Sequence, residues 1–448
     1  MMHSVSESAD PDVLNDGAKI AVIGGGPSGS FFSIFALKMA RMLGKELNVT
    51  IFEPKDFTKD GPGGCNRCGG IISELLVQTL AVEGINLPDS VVRKGINSYK
   101  LHTNEGSVFI ATPHFEKTIA TVYRGGGPKG MMAGEKESFD NFLLRQAVKE
   151  GAVHKPLRID GITYRNKKPV PLSRNSEIME ADLVVGAFGV NSTAGTLIES
   201  MGFGYEEPLT VTTAIAELHM SEQVVAQYFG NSIHLFLLPD KGLKFAAMIP
   251  KGAYVTLCIL GSEIHGRTVD DFLDKPVVKV VLPKSDPYKL ECRCLPKMNV
   301  GAPKIAFSDR VVMCGDAGST RLFKDGLGAA YLMGKAIAKT VVFHGVGRQH
   351  LKGSYKPVYR SILIDNYFGR VLYAVTDILR KNSVFTKGML EVIQREQEGV
   401  AGHVVLSSIL WDMFTGNERY RNIFPKALDV RMNLHLLKEI AKAMVKAA

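Results

Sequence analysis

Hydrophobic and polar positions along the chain fall first into the pattern of a βαβ unit. The apolar run Ile20-Ala21-Val22-Ile23 reads as a short buried strand, and it stops at three consecutive glycines, Gly24-Gly25-Gly26. From about 28 to 43 apolar residues are dense and helically spaced, as in a buried helix. A second strand at 48–52 ends on Glu53. Helical spacing recurs at 73–83. Residues 96–124 then alternate with the two-residue period of a strand, as in Ser107-Val108-Phe109-Ile110-Ala111 and Thr118-Ile119-Ala120-Thr121-Val122-Tyr123, so a second sheet begins there. After a glycine-rich connection at 125–134, residues 138–151 read as a helix with Ser138 as cap and Gly151 as stop. A strand at 181–187 returns to the first sheet, and 208–300 is again rich in alternating strands, including 234–238 and 245–249. The strand Arg310-Val311-Val312-Met313-Cys314 runs into Gly315-Asp316-Ala317-Gly318, a helix follows from about Gly328, and 346–448 is helical in pattern.

This order predicts an α/β protein whose chain leaves and re-enters its first domain. A Rossmann-type domain (18–95, 136–195 and 301–345) is interleaved with a β-rich substrate domain (96–135 and 196–300), and a helical C-terminal region covers 346–448. The glycine turn has the spacing of a dinucleotide phosphate cradle. Gly24 allows the tight turn, Gly26 lets backbone approach a pyrophosphate, and Gly29 lets the helix pack closely on the sheet. The helix beginning at Pro27 and Ser28 would turn free N–H groups and its dipole toward the phosphates. Glu53, 24 residues past Gly29, stands about where an acidic residue takes the ribose hydroxyls of an adenine dinucleotide. The fingerprint occurs once, which argues against a layout with a second nucleotide unit.

Composition changes this picture little. Hydrophobic residues at 45% and charged residues at 22% suit a folded globular chain of 448 residues. Residues 1–17 are polar and acidic without an apolar core segment and read as a loose leader. No apolar run approaches the roughly 18 residues of a spanning helix, so the expected location is cytoplasmic or peripheral on a membrane. The formal charge of +9 suits an anionic partner such as a membrane surface. No nucleic-acid motif accompanies it, and nucleic acid is not an expected partner. Of six cysteines, Cys65 and Cys68 form a C-x-x-C, Cys292 and Cys294 a C-x-C, and Cys258 and Cys314 sit in apolar strands. The two pairs have spacing that permits four sulfur ligands, but they fall in different domains, and no metal is expected. The last helical stretch, with Leu436, Leu437, Ile440, Ala441 and Met444 on one face and lysines opposite, suits either a membrane interface or a helix capping its own domain.

Four features in the right order resemble the FAD-dependent group that includes p-hydroxybenzoate hydroxylase and, more closely, the geranylgeranyl reductases. They are the cradle with Glu53; Cys68-Gly69-Gly70; Phe139-Asp140 with Arg124 before it; and Gly315-Asp316-Ala317 followed by Gly326-Leu327-Gly328. The likeness covers about 18–345. It implies FAD as cofactor, with Asp316 on the ribityl chain, the Gly326-Leu327-Gly328 helix start facing the flavin pyrimidine, and Cys68 and its glycines over the flavin ring. It adds Pro54, Leu157 and Gly189 to the cofactor-binding set. Two departures stand out. Where the group has an aspartate associated with FAD and the reduced nicotinamide cofactor, Gly186-Ala187-Phe188-Gly189 has Phe188, which points to a ferredoxin-like or quinol electron donor. The strand Ile233-His234-Leu235-Phe236-Leu237-Leu238-Pro239 resembles one lining the reductases' lipid tunnel but lacks its tryptophan.

The resemblance implies an enzyme that reduces an apolar, membrane-associated substrate, isoprenoid double bonds first and a quinone second. Flavin monooxygenation and electron transfer from a soluble carrier to a quinone are the alternatives. Saturating an isolated double bond needs a hydride on one face and a proton on the other. An ordinary thiol is mostly protonated at neutral pH. Cys68 is therefore the candidate catalytic acid, or else a residue that packs beside the flavin.

Overall fold

The apolar run at 20–23 lies in strand Ala18–Ile23, which is paired on both edges and buried on both faces. The structure, a computed structural model, describes residues 12–113, 117–129, 137–284, 288–399 and 404–447, the side chains of 443–447 excepted. Six strands stand in the order Phe307–Ser308, Val311–Met313, Leu183–Gly186, Ala18–Ile23, Leu47–Phe52 and Val153–Lys155. All are parallel except the first. Helices Pro27–Met42, Phe139–Lys149 and Gly326–Phe343 pack on one face of this sheet. The first and last approach closely because Gly334 has no side chain: a Cβ there would lie 2.9 Å from the Phe32 nitrogen. The ring of Tyr331 then meets Phe31 and Phe35 edge-on at 5.7 and 5.5 Å. Helix Phe139–Lys149 starts where its sequence says, with the Ser138 hydroxyl accepting the Asn141 N–H at 3.1 Å.

The larger second sheet runs Lys289–Cys294, Thr210–His219, Tyr254–Gly261, Leu243–Lys251, Ser232–Phe236, Ser98–Thr103, Gly106–Ala111. Only Ser232–Phe236 with Ser98–Thr103 is parallel. Part of the 96–124 region belongs elsewhere: Ile119–Val122 joins Ile71–Ser73 and Val92–Ile96 in a small sheet between the two large ones. Register places Ile215, Ala247, Ile249, Cys258 and Leu260 on one face of the larger sheet. The C-terminal helices cover that face. Trp411 of helix Leu406–Phe414 is fully buried, 4.7 Å from the Tyr99 ring, and donates its indole N–H to the Lys117 carbonyl at 3.0 Å. Asp412 beside it accepts from Lys117 and Lys426. The Lys324 ammonium donates to the carbonyls of Asp412 and Glu418 at 2.6 and 2.8 Å, and burial pushes it down to about 7.

Two sequence expectations need correction. Residues 1–11 lie outside the described residues, but the end of the expected leader is packed: Leu14 is 2% exposed, and the Asp12 carbonyl accepts the Val346 N–H. The final helix, Val430–Ala447, turns Met432, Leu436 and Ile440 inward, while Leu437 is 60% exposed and Ala441 is exposed. The reason is Gly388 of helix Ser383–Gln397, which receives Ile440 so closely that a Cβ would lie 2.7 Å from its Cγ1. That contact sets the rotation of the helix. The side chain of Met444 lies outside the described residues.

The tunnel-like strand buries a histidine pair. His102 Nε2 lies 3.2 Å from His234 Nδ1, and His102 Nδ1 lies 2.7 Å from the Ser107 hydroxyl. Burial pushes His102 down to about 4 and His234 to about 3. In the unfolded chain both titrate near 6.5, so below that pH the unfolded state takes up protons that the folded state refuses. Stability from this pair is therefore full above about pH 6.5 and falls as the pH drops toward 4, by roughly 3 kcal/mol for one imidazole. Melting temperatures between pH 7 and 4 should fall more steeply for the native chain than for His102→Gln/His234→Gln. Parallel curves would contradict this.

Candidate functional site

The glycine turn closes on itself at two points and opens at a third. A Cβ on Gly24 (φ 110°) would lie 2.4 Å from the Ala187 carbonyl oxygen, and one on Gly29 would lie 2.0 Å from the Gly24 carbonyl oxygen. At Gly26 the nearest atom to such a Cβ is Asp140 Oδ1, 3.8 Å away. Gly26 also precedes helix Pro27–Met42 with no side chain capping it, so the leading end of the helix is open to an anion. Glu53 is buried behind the turn. It accepts the N–H groups of Gly25 and Lys55, each at 2.9 Å, and burial pushes its carboxyl above the usual range. The Ser28 side chain lies against Gly315: a Cβ on Gly315 would fall on the Ser28 hydroxyl. The first and last motifs of the sequence thus form one wall.

Arg124 ties the remaining motifs to that wall. Its guanidinium donates to Asp140 Oδ2 at 2.7 Å and Oδ1 at 3.1 Å, and its Nη1 lies 4.0 Å from Cys68 Sγ. Asn66 and the Gly125 N–H add further hydrogen bonds to the same fully buried carboxylate. Burial opposes the Arg124 charge, but Asp140 and then Cys68 outweigh it and hold the guanidinium above its ordinary range. Arg124 also acts on Asp316, whose carboxyl burial pushes up and Arg124 draws down. The group Cys68, Arg124, Asp140 and Asp316 therefore occupies one neighbourhood.

The Cys68-Gly69-Gly70 loop lies on the larger sheet. A Cβ at Gly69 would be 3.1 Å from Cys258 Sγ and 3.2 Å from Ile249 Cδ1; one at Gly70 would meet the Val122 carbonyl at 2.0 Å and Lys251 Nζ at 3.0 Å. Lys251 is 2% exposed, and its ammonium has no hydrogen-bond partner among the described residues. Across the sheet Glu217 is buried, accepts the Thr256 hydroxyl in a forked bond at 2.9 and 3.0 Å, and is pushed up by burial. Cys65, Cys292 and Cys294 gather at this end and feel one another's charge. Burial pushes Cys292 up to about 11 and Cys294 to about 12, with Cys65 also raised. Among the described residues no group of three or more Cys, His, Asp or Glu could hold a metal ion. Cys68 alone of the six is exposed. Lys251, Glu217, Asn66 and the part played by Asp140 were not found from sequence. Only an in-register reading of the strands, which needs the pairing, puts Lys251 and Glu217 on the loop's side.

The other expected residues spread around this centre. Helix Gly326–Phe343 begins two residues earlier than its pattern suggested, with Leu327 buried. Its first turn is capped by Asp325 (φ 49°), whose carboxylate accepts the Gly328 N–H at 3.1 Å and pairs with Arg321. That amide is thus already engaged. Phe188 packs back on the sheet: a Cβ on Gly186 would lie 2.8 Å from its ring. Gly189 (φ 69°) borders open space, with nothing within 4 Å of a Cβ. Pro54 lines a groove of about 690 Å³ between Lys55 and helix Phe139–Lys149, and Leu157 is 37% exposed just beyond strand Val153–Lys155.

No family model matches the chain. Among curated proteins it is 22% identical over 367 residues to an uncharacterized protein of Methanosarcina barkeri, an alignment spanning 79% of this chain and 83% of that one. It is 24% identical over 229 residues to the protein FixC of Escherichia coli K12, covering 46% of this chain and 53% of that protein. Among solved structures, a geranylgeranyl bacteriochlorophyll reductase-like protein of Thermoplasma acidophilum superposes with a TM-score of 0.64 at 16% identity, covering 96% of this chain and all of the other. The halogenase PltM, solved with phloroglucinol and FAD, gives 0.60 at 12% identity over 96% and 93% of the two chains. The chain thus has the fold of the FAD-dependent oxidoreductases that includes geranylgeranyl reductase-like proteins, halogenases and monooxygenases.

Proposed function

We propose that the protein binds FAD and is a FAD-dependent reductase of an apolar, membrane-associated substrate, with isoprenoid double bonds of the geranylgeranyl type as its first target. The observation that carries this reading is the convergence of the open glycine cradle, Asp316 and the Cys68 loop around the Arg124–Asp140 pair, with the loop resting on the larger sheet. The residues fit the cofactor. The open space at Gly26 and the uncapped helix suit a pyrophosphate, Glu53 suits ribose hydroxyls, and Asp316 offers an acceptor to a buried polyol chain. Bound there, FAD would supply the hydride chemistry. Arg124 fixes the Cys68 loop through Asp140, and Ile249, Ala247 and Phe245 line an apolar bed beneath the C-terminal helices, with Lys251 and Glu217 at its loop end. Cys68, exposed beside that bed, holds the proton for the opposite face of the double bond. Phe188 leaves no carboxylate at the position associated with the nicotinamide cofactor, which favours a ferredoxin-like protein or a quinol as electron donor.

A second reading, with a quinone as acceptor, is favoured by Lys251, because a buried ammonium that lies 5.0 Å over the Tyr123 ring and has no hydrogen-bond partner among the described residues suits a substrate bearing a carbonyl oxygen. One experiment separates the readings. The flavoprotein is reduced anaerobically with dithionite and offered a geranylgeranyl lipid, a quinone analogue, or oxygen with a phenol. Reoxidation by the lipid is expected; reoxidation by the quinone alone would replace the isoprenoid reading, and coupled hydroxylation would replace both. A colourless protein would remove the FAD assignment. Cys68→Ser is expected to keep its flavin and lose about 100-fold or more in turnover. Turnover equal to the native enzyme would eliminate Cys68 as the acid.

A further inference from the structure

The 24-residue helix Lys356–Leu379 has a buried side and an unusual outer one. Inward it presents Asp365, Asn366, Gly369, Leu372 and Tyr373. Tyr373 stacks on Phe245 at 6.1 Å, on the apolar sheet face, and the Asn366 amide holds the Leu322 N–H and the Thr320 carbonyl just past the Gly315-Asp316 motif. Outward, positions 360, 364, 367, 371, 374, 378 and 381 recur at alternating steps of four and three, which keeps them in one line along the helix. Ile364 is 45% exposed, Tyr367 63%, Val375 48% and Ile378 71%. The stripe from Ile364 to Ile378 runs about 21 Å.

Charge decides what covers it. The exposed charged residues of the helix and the residues just beyond it are Lys356, Arg360, Arg370 and Lys381, all basic. The acids are withdrawn: Asp365 is buried and accepts the Arg421 N–H, and Asp377 pairs with Lys244 and Arg380. A second copy of the chain fits poorly. Antiparallel pairing of Ile364 with Ile378 across a two-fold axis sets Arg370 against its own copy and Arg360 against Lys381, and parallel pairing sets every basic residue against itself. A surface of anionic lipid headgroups over an apolar interior meets both the apolar stripe and its basic ends.

We propose that the outer stripe of this helix, Ile364, Tyr367, Val371, Val375 and Ile378 with Arg360 and Lys381 at its ends, is the surface by which the protein seats on an anionic bilayer. The helix then stands between the bilayer and the apolar sheet face, so a lipid substrate leaving the membrane meets the enzyme beside it. That last consequence rests on the reductase reading; the seating itself does not.

The test uses the full-length protein with vesicles of phosphatidylcholine alone or mixed with phosphatidylglycerol. Co-sedimentation with the mixed vesicles, weakened by salt, is expected. Tyr367→Asp/Ile378→Asp should lower it by about tenfold or more at unchanged melting temperature, and Arg360→Glu/Lys381→Glu should abolish the preference for anionic vesicles. Native-like binding by either variant would overturn the proposal. So would no binding to either vesicle, a dimer without lipid that Tyr367→Asp/Ile378→Asp dissolves, or loss of binding confined to Leu434→Asp/Leu437→Asp on the final helix. Turnover of a detergent-dispersed substrate is measured in parallel. Its absence in the native protein would count against the reductase reading and leave the vesicle result standing.

Discussion

Asp140→Ala is expected to cost about 3–5 kcal/mol of folding stability, because it strips the one carboxylate among the described residues that directly meets the largely buried Arg124 guanidinium. Four donors converge on Asp140: two from Arg124, the Asn66 amide and the Gly125 N–H. Its side chain is fully buried and that of Arg124 is 17% exposed, so water can replace little of what is lost. The same change frees the Cys68 loop, since Asn66 and Arg124 hold the loop through this carboxylate. Denaturant titration gives the number: the midpoint should drop with an unchanged slope. A loss below about 1 kcal/mol would mean that Arg124 finds another partner, and that the convergence around Asp140 is not what organises the site.

Gly29→Val is expected to abolish stable flavin binding. Even a single Cβ would stand 2.0 Å from the Gly24 carbonyl and 3.0 Å from Val22 Cγ1, and neither the turn backbone nor the central strand can give way cheaply. Helix Pro27–Met42 must move off the sheet, taking the anion-binding end of the cradle with it. The affinity for added FAD should fall by about a hundredfold or more, equivalent to about 2.7 kcal/mol. Gly63→Ala is the matched control, since nothing lies within 4 Å of a Cβ there, and it should bind flavin normally. A full complement of flavin in Gly29→Val would show that the cofactor sits elsewhere.

What the sequence made legible was local. Strand Ala18–Ile23, the helix after it and strand Leu47–Phe52 follow from runs of adjacent residues, and Ser138 announces its helix by a bond to a neighbour three residues away. The fold likeness to flavoproteins follows from four such local motifs in order. What stayed hidden depends on residues far apart in the chain. Lys117 meets Asp412 across 295 positions, and Lys251 reaches the Gly70 loop only because the strands pair as they do. The rotation of the final helix is hidden for the same reason: its own pattern favours Leu437 as much as Leu436, and Gly388 on another helix breaks the tie. The Asp325 cap was hidden by the glycines beside it, which drew the helix start toward Gly328.

Trp411 is the single tryptophan of the chain. It sits fully buried at the junction where the C-terminal helices meet Tyr99 and the Lys117 carbonyl. Tryptophan emission from this protein is therefore an optical gauge of one seam alone. A red shift at intermediate denaturant, ahead of the loss of far-ultraviolet ellipticity, would time the detachment of the C-terminal helices separately from the melting of the nucleotide-binding sheet.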